Sequence, residues 1–439
     1  MKKVALVSLG CAKNLVDSEV MLGVLKKARY SFTTDPREAA VIIVNTCGFI
    51  QPARDEAERA LERALRLKRR DPGKTVVAAG CYVERDEAAL SRRFPDVDVW
   101  TGVRDFGGIA EILAGRSRSR PARVFLYSDH SPRFVSTPGS WAYVKVSEGC
   151  SHRCGFCSIP LIKGPYVSRS MASIVREARA LAAKGVLEVN LVSQDTMFYG
   201  RDRGIRNGLV KLLERLVRVD GPAWIRLLYG YPEEITSPLL DIMKEEKICR
   251  YLDLPFQHAE TELLRSMGRG MPGEKALALL ERIRDRVPGV ALRTSLIVGL
   301  PGEGPKEFDS LMRFVEKARF DHLGVFAYSL EKGTPAHHRG DPVPPEEKER
   351  RRAGLMALQA DISSAINRSH VGKTLEVLLE GEKTGKARAY FGRARFQAPE
   401  VDGRVLIPFE GRPSPLKSPL VRAEIRSAST YDLRGRLVP

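Results

Sequence analysis

The chain of 439 residues has no apolar run long enough to cross a membrane, which excludes an integral membrane helix. It also lacks a convincing export signal. Met1-Lys2-Lys3 ahead of an apolar stretch and Cys11 imitates a lipoprotein signal, but residues 4–9 fall short of an h-region of about 7–15 residues. Residues 14–22 then read as an amphipathic helix rather than a mature tail, so a cytoplasmic protein is expected. Cysteine is scarce, seven in all, and in a reducing compartment that excludes a disulfide-built scaffold. There is no internal repeat beyond alternating strands and helices, and no long disordered tail. The glycine-rich stretch Gly268-Arg269-Gly270-Met271-Pro272-Gly273 lacks the Lys-Ser/Thr of a phosphate loop. A hydrophobic share of 43% with 29% charged residues remains, ordinary for a chain of two to four globular domains.

What cysteine there is, is concentrated. Cys150, Cys154 and Cys157 stand at C-x₃-C-x₂-C spacing, and thiolates this close can wrap one inorganic centre of iron–sulfur, zinc or copper type. A structural zinc site asks for two such pairs, whereas three local ligands leave the fourth position open for chemistry. With Phe156 before the last cysteine, this motif resembles the radical S-adenosylmethionine (SAM) family. That resemblance implies a [4Fe-4S] cluster on the three cysteines, with the amino and carboxylate groups of SAM on the open iron.

The first 130 or so residues alternate strands, at 3–9, 41–45 and 75–79, with helices at 15–29 and 54–70. This is the pattern of an open parallel α/β sheet. Cys11, Cys47 and Cys81 each follow one of these strands almost directly, at the sheet edge where ligands of such folds gather. They are either three ordinary buried thiols or a second metal site. The neighbouring Gly10, Gly48 and Gly80 are expected to let backbone approach a bulky ligand. Residues 116–139, rich in Arg, Ser and Pro, read as an inter-domain connection.

A second α/β series follows, with strands at 142–146, 188–192, 224–228, 251–254, 292–298 and 323–328 and helices at 174–184, 208–219 and 274–287. Six such repeats suggest a partial (β/α)6 barrel with its active face at the strand C-termini. Gln194 and Asp195 end the second strand and suit SAM contacts; an Asx turn is the alternative for Asp195. His258 reads as structural, His337 and His338 as solvent-facing, and Cys249 as a plain buried thiol. After a charged helix at 346–368, strands at 374–380, 387–396, 404–407 and 420–425 suggest a small C-terminal β-barrel. The expected division is 1–130, 138–370 and 371–439.

The net charge of +18 draws polyanions, RNA or a ribonucleoprotein, unless it reflects general arginine enrichment on solvated helix faces. In the small barrel Lys383, Lys386, Arg388, Arg393 and Arg395 interleave with Tyr390, Phe391 and Phe396, a mixture that suits either a nucleic-acid surface or ordinary surface arginines.

Taken together, both cysteine trios and the trailing barrel make the chain resemble the radical SAM methylthiotransferase family over essentially its whole length. Ser8-Leu9-Gly10-Cys11-Ala12-Lys13-Asn14, Val44-Asn45-Thr46-Cys47-Gly48-Phe49-Ile50, Ser147-Glu148-Gly149-Cys150 and Ala398-Pro399-Glu400-Val401-Asp402-Gly403 look like the branch that modifies ribosomal protein S-twelve. The resemblance implies two [4Fe-4S] clusters, on Cys150/Cys154/Cys157 and on Cys11/Cys47/Cys81. It implies SAM as methyl donor and as source of a 5′-deoxyadenosyl radical, and a methylthio group placed on the β-carbon of an aspartate. It also implies a TRAM domain at the C-terminus, an electron donor such as flavodoxin or ferredoxin, and possible rRNA contact. The same chemistry on an adenosine of tRNA is the nearer alternative, and a non-catalytic RNA-binding protein the remote one. Two departures from the family pattern, Lys163 in place of Arg before Gly164 and Gly155 in place of Thr or Ser, fall beside the expected SAM site.

Overall fold

The computed structural model describes residues 1–116, 125–383, 388–409 and 418–438. Its first unit is a five-stranded parallel sheet of β1 (Lys3–Ser8), β2 (Ser31–Phe32), β3 (Val41–Thr46), β4 (Thr75–Gly80) and β5 (Val99–Thr101), in the order β2-β1-β3-β4-β5. Strand β3 is buried along its whole length, as the continuous apolar run Val41-Ile42-Ile43-Val44 requires of a central parallel strand. Helices α1 (Ala12–Lys27), α2 (Gln51–Arg70), α3 (Cys81–Arg93) and α4 (Ile109–Leu113) connect or flank the strands.

The second unit opens with β6 (Trp141–Lys145). A short hairpin of β7 (Ser147–Glu148) and β8 (Val167–Ser168) then brackets α5 (Ile159–Lys163). The barrel strands continue with β9 (Glu188–Val192), β10 (Trp224–Leu227), β11 (Tyr251–Asp253), β12 (Ala291–Val298) and β13 (His322–Ala327). All pairings within β10-β9-β6 and within β11-β12-β13 are parallel, and a single parallel bridge from Ile225 to Ile248 leads toward β11. The six strands therefore follow one another in chain order as an open, partial barrel. Helices α6 (Met171–Ala182), α7 (Gly208–Leu216), α8 (Ser237–Ile242), α9 (Thr261–Ser266), α10 (Gly273–Arg286), α11 (Pro305–Ala318) and α12 (Pro345–Arg368) accompany them.

The C-terminal unit is a closed barrel of β14 (Thr374–Lys383), β15 (Ala389–Ala394), β16 (Val405–Pro408), β17 (Leu420–Ala428) and β18 (Leu433–Val438). Strand β18 is absent from the sequence expectation because Arg434 and Arg436 alternate with Leu433 and Gly435. Only Leu433 and Gly435 are buried, so the strand carries little hydrophobic signal.

This small barrel packs beneath the larger one, at the starts of its strands. The turn Ala398–Gly403 reaches inward: Tyr143 donates to Glu400 at 2.9 Å, Tyr251 to Asp402 at 2.7 Å, and Arg293 pairs with Asp402 at 2.7 Å. Three of the basic and aromatic residues singled out in the small barrel are taken up in this packing. Arg393 is buried between Glu188 and Glu380, Arg395 donates to Ala223 O at 3.5 Å beside Trp224, and Phe396 stacks on His370 at 4.4 Å. Those side chains bind the barrel to its own chain; Lys386 lies outside the described residues.

Glu188, fully buried at the start of β9, joins Arg226 at 2.8 Å and Arg393 across the two barrels. Burial favours its neutral form, but Arg393 and Arg226 outweigh burial and hold the carboxyl below its usual range. The stabilisation is therefore present above the ordinary carboxylate pKa and is lost as pH falls through the lowered folded value. Glu188→Gln leaves buried Arg226 without its carboxylate and Arg393 with Glu380 alone, a loss expected to cost about 3–5 kcal/mol. Thermal melts at neutral pH and in acid check this: the variant should melt lower at neutral pH, and the gap should close in acid.

One expectation is corrected. Helix α1 is not the expected amphipathic helix, because Lys13, Asn14, Asp17, Ser18 and Glu19 are all buried between the first sheet and the barrel. Their partners come from distant sequence, as with Glu19 and Arg133 at 2.6 Å, so a helical wheel misreads them as solvent-facing. The connection at 116–139 is packed against its neighbours in its described part. Tyr127 is buried, and Arg133 ties α1 to Glu177 of α6 at 2.6 Å.

Candidate functional site

Strands β1, β3 and β4 are neighbours in the sheet and end level, Ser8 opposite Asn45 and Asn45 opposite Ala79. Adjacent strands lie about 4.8 Å apart, so loops leaving their carboxyl ends start within side-chain reach of one another. Cys11 caps α1, Cys47 follows β3, and Cys81 begins α3.

The flanking glycines serve this convergence. A Cβ on Gly10 would stand 2.7 Å from Cys47 Cβ, and one on Gly80 would stand 2.3 Å from Asn45 Oδ1. Both residues also have positive φ, at 87° and 98°. Gly48 packs equally closely on Tyr82 Cα. Side chains at these places would push the three loops apart.

The other trio leaves the hairpin of β7 and β8 at the mouth of the larger barrel. Cys150 N donates to Gly164 O at 3.0 Å and Cys157 N to Cys154 O at 3.1 Å, which curls the loop. Residues 267–269 clamp it from outside: Gly155 N donates to Met267 O at 2.8 Å, and Arg269 Nη1 lies 3.7 Å from Cys154 Sγ. Arg269 is itself buried and lies over the Tyr231 ring at 3.9 Å. Sequence reasoning set this glycine-flanked arginine aside for want of a phosphate-loop signature; its role beside a cysteine is not written in local pattern.

All six cysteines line one cavity of about 410 Å³ between the first sheet and the barrel. Among the described residues, no three Cys, His, Asp or Glu side chains close on one point as a single metal ion requires. In a four-iron cluster each thiolate meets a different iron, so a trio must be more open than a mononuclear site. Burial pushes Cys47 and Cys150 up to about 11 and Cys157 up to about 12, with Cys81 raised further. Such thiols ionise when a metal coordinates them. Donor type, number and openness fit two iron–sulfur clusters.

Gln194 and Asp195 also line this cavity. Asp195 Oδ1 caps the short turn at Thr196–Phe198 by accepting from Met197 N at 3.0 Å, the Asx-turn alternative, while Oδ2 meets His152 Nε2 at 2.6 Å. His152 in turn stacks on Tyr231 at 3.8 Å. His258 is structural: its Nδ1 accepts from Glu260 N at 3.1 Å and its Nε2 lies 3.6 Å from Glu303. His337 and His338 are exposed and Cys249 is buried, as read.

Lys163 has an interior role. With Lys145 it meets Asp17 of α1 and Glu148 of β7 in a buried group of two lysines and two carboxylates, at 3.1 Å from Asp17 and 3.3 Å from Glu148. This group fastens the first sheet's helix to the barrel mouth beside Cys81. Two further cavity residues, Tyr229 and Gln257, hold φ of 61° and 71°, a strained conformation for non-glycine residues that no sequence pattern announces.

Comparison with known proteins agrees with this geometry. Three family models match: Uncharacterized protein family UPF0004 over residues 3–102, the Radical SAM superfamily over 144–315, and the TRAM domain over 371–438. The ribosomal protein uS12 methylthiotransferase RimO of Pelobacter propionicus is 43% identical, over 99% of this chain and 98% of its own. That of Anaeromyxobacter sp. (strain Fw109-5) is 45% identical over 99% and 93%. Among solved structures, the radical S-adenosylmethionine methyltransferase TsrM of Kitasatospora setae superposes with a TM-score of 0.56 at 18% identity. The match covers 77% of this chain and 75% of that one, and shares the fold alone. Near-full-length identity above 40% leaves no part of the chain unaccounted for, and the chain belongs to the RimO family of radical SAM methylthiotransferases.

Proposed function

We propose that this protein places a methylthio group on the β-carbon of an aspartate of ribosomal protein uS12. The observation that carries the proposal is the meeting of two three-cysteine sets in one cavity. We assign Cys150, Cys154 and Cys157 to the cluster that binds SAM, and Cys11, Cys47 and Cys81 to a second cluster that handles sulfur. An aspartate β-carbon has no leaving group and no readily lost proton, so acid–base side chains alone cannot install sulfur there. When bound, the two [4Fe-4S] clusters and SAM supply the methyl group, the electron and the hydrogen-abstracting 5′-deoxyadenosyl radical.

The protein's own part is position and exclusion of water. Gln194 and Asp195 face the SAM side, with Asp195 fixed by Met197 N and His152. Arg269 holds a cation 3.7 Å from Cys154 Sγ. Phe49, Phe156, Ile297 and Phe326 give the cavity an apolar wall that limits quenching of a radical by solvent. The units act as 1–130, 138–370 and 371–439. No helix among the described residues is long and apolar enough to cross a membrane, and we place the enzyme in the cytoplasm with the ribosome. Flavodoxin or ferredoxin suits the reducing step, and the +18 charge favours approach to an RNA-rich particle.

Mass spectrometry of a deletion strain tests the substrate. Ribosomal protein uS12 should lose the methylthio mass while tRNA nucleosides keep theirs. Loss of a methylthio adenosine with uS12 unchanged would move the substrate to tRNA.

A further inference from the structure

Five lysines of the described chain are buried, and four of them have oxygen partners. Lys74 donates to Arg37 O and Ala39 O at 2.8 and 2.7 Å, Lys348 to Tyr328 O at 2.9 Å, and Lys145 and Lys163 sit with Asp17 and Glu148. The fifth is Lys13, 6% exposed, on the first turn of α1 two residues after Cys11. Among the described residues no carboxylate stands within ion-pair distance of its ammonium group. It rests instead on the face of Tyr229, 3.2 Å from the ring centroid, and both residues line the cavity.

A ring face steadies a cation without neutralising it, and the attraction is smaller than the cost of burying an ammonium group. The chain also spends backbone strain on the ring. Tyr229 holds φ of 61°, fixed by its N–H to Asp253 at 3.1 Å and its carbonyl to Thr196 N at 2.8 Å. Asp253 is engaged with Tyr229 N and faces Arg293 Nε at 3.8 Å. A buried cation on a strained platform, aimed into a cavity and short of an anion, is a site for an anion that arrives from outside.

We infer that Lys13, held by Tyr229, binds the side-chain carboxylate of the target aspartate in uS12 and thereby fixes the carbon that reacts. The inference rests on the proposed function. The aspartate β-carbon is bonded directly to the carboxylate carbon, so a group that holds the carboxylate fixes the β-carbon within one bond. Lys13 lies beside Cys11, on the side assigned to sulfur, so the captured carbon faces the sulfur-bearing cluster with the SAM side opposite. Lys13 is a specificity-determining residue in this reading, and Tyr229 a positioning residue.

The test is a two-by-two binding experiment with the cluster-loaded enzyme and free uS12 protein. Dissociation constants are measured for wild type and Lys13→Met, against uS12 and against uS12 carrying Asn at the target aspartate. Iron content equal to wild type shows that the variant is folded and loaded. Wild type should bind the aspartate protein about tenfold more tightly than the asparagine protein. Lys13→Met should lose that factor for aspartate, with little change for asparagine, and Lys13→Arg should retain the preference. Equal weakening toward both proteins would overturn the inference, because Lys13 would then serve the cluster or the fold. So would a wild type indifferent to the substitution in uS12. A wild type that binds uS12 in neither form, nor the small ribosomal subunit that contains it, would instead remove the proposed function on which the inference stands.

Discussion

Replacing Cys150, Cys154 and Cys157 together by alanine is expected to abolish reductive cleavage of SAM and all methylthiolated product. Iron should fall from about eight to about four per chain if each trio holds one four-iron cluster. The effect should be total rather than graded, because SAM cleavage needs an electron delivered to SAM itself, and no neighbouring side chain can deliver one. His152 and Arg269 hold positions around the trio but are no substitute for its sulfurs. The fold should survive: among the described interactions of this loop, the clamp from Met267 runs through backbone and the hairpin pairing of β7 with β8 is independent of the thiols. Anaerobic reconstitution, iron analysis and quantification of 5′-deoxyadenosine check this in one preparation. Unchanged iron content would show that these cysteines hold no cluster.

Much of this site is legible in the sequence, and the reason is specific. Cys150, Cys154 and Cys157 are close in the chain, so their spacing alone reports a shared centre. Cys11, Cys47 and Cys81 are far apart, yet each follows a strand of a parallel sheet, and that topology brings strand ends together whatever the separation. The barrel strands are legible because apolar and β-branched residues recur along them, as Val189, Leu191 and Val192 do in β9 and Leu296, Ile297 and Val298 in β12.

What stays hidden is whatever depends on a partner from elsewhere in the chain. Asp17, Lys145, Glu148 and Lys163 read as unrelated charges until α1 is laid against the barrel mouth, where they neutralise one another in the interior. Arg393 reads as a surface arginine of a basic strand until Glu188 is brought to it from 205 positions away. Tyr229 ends an ordinary strand, and its positive φ has no local cause; it follows from the surroundings that fix its N–H and carbonyl. Long-range electrostatic pairing leaves no periodic trace, so a reading built on periodicity places such residues at the surface by default.

In the proposed function the two trios divide the work across a shared cavity, one forming the radical and the other providing sulfur. The most direct measurement takes Cys11→Ala, Cys47→Ala and Cys81→Ala in one chain, reconstitutes the remaining site, and supplies SAM, reductant and uS12. Both 5′-deoxyadenosine and methylthiolated uS12 are then quantified from the same reaction. Cys150, Cys154 and Cys157 lie on the barrel loop, which keeps its backbone bonds from Cys150 to Gly164, Gly155 to Met267 and Cys157 to Cys154, so SAM cleavage should persist. The β-carbon, left without a sulfur source, should yield no methylthiolated product. If this variant instead forms full product with iron only at the barrel site, the cysteines of the first sheet are structural and the two-cluster mechanism is wrong.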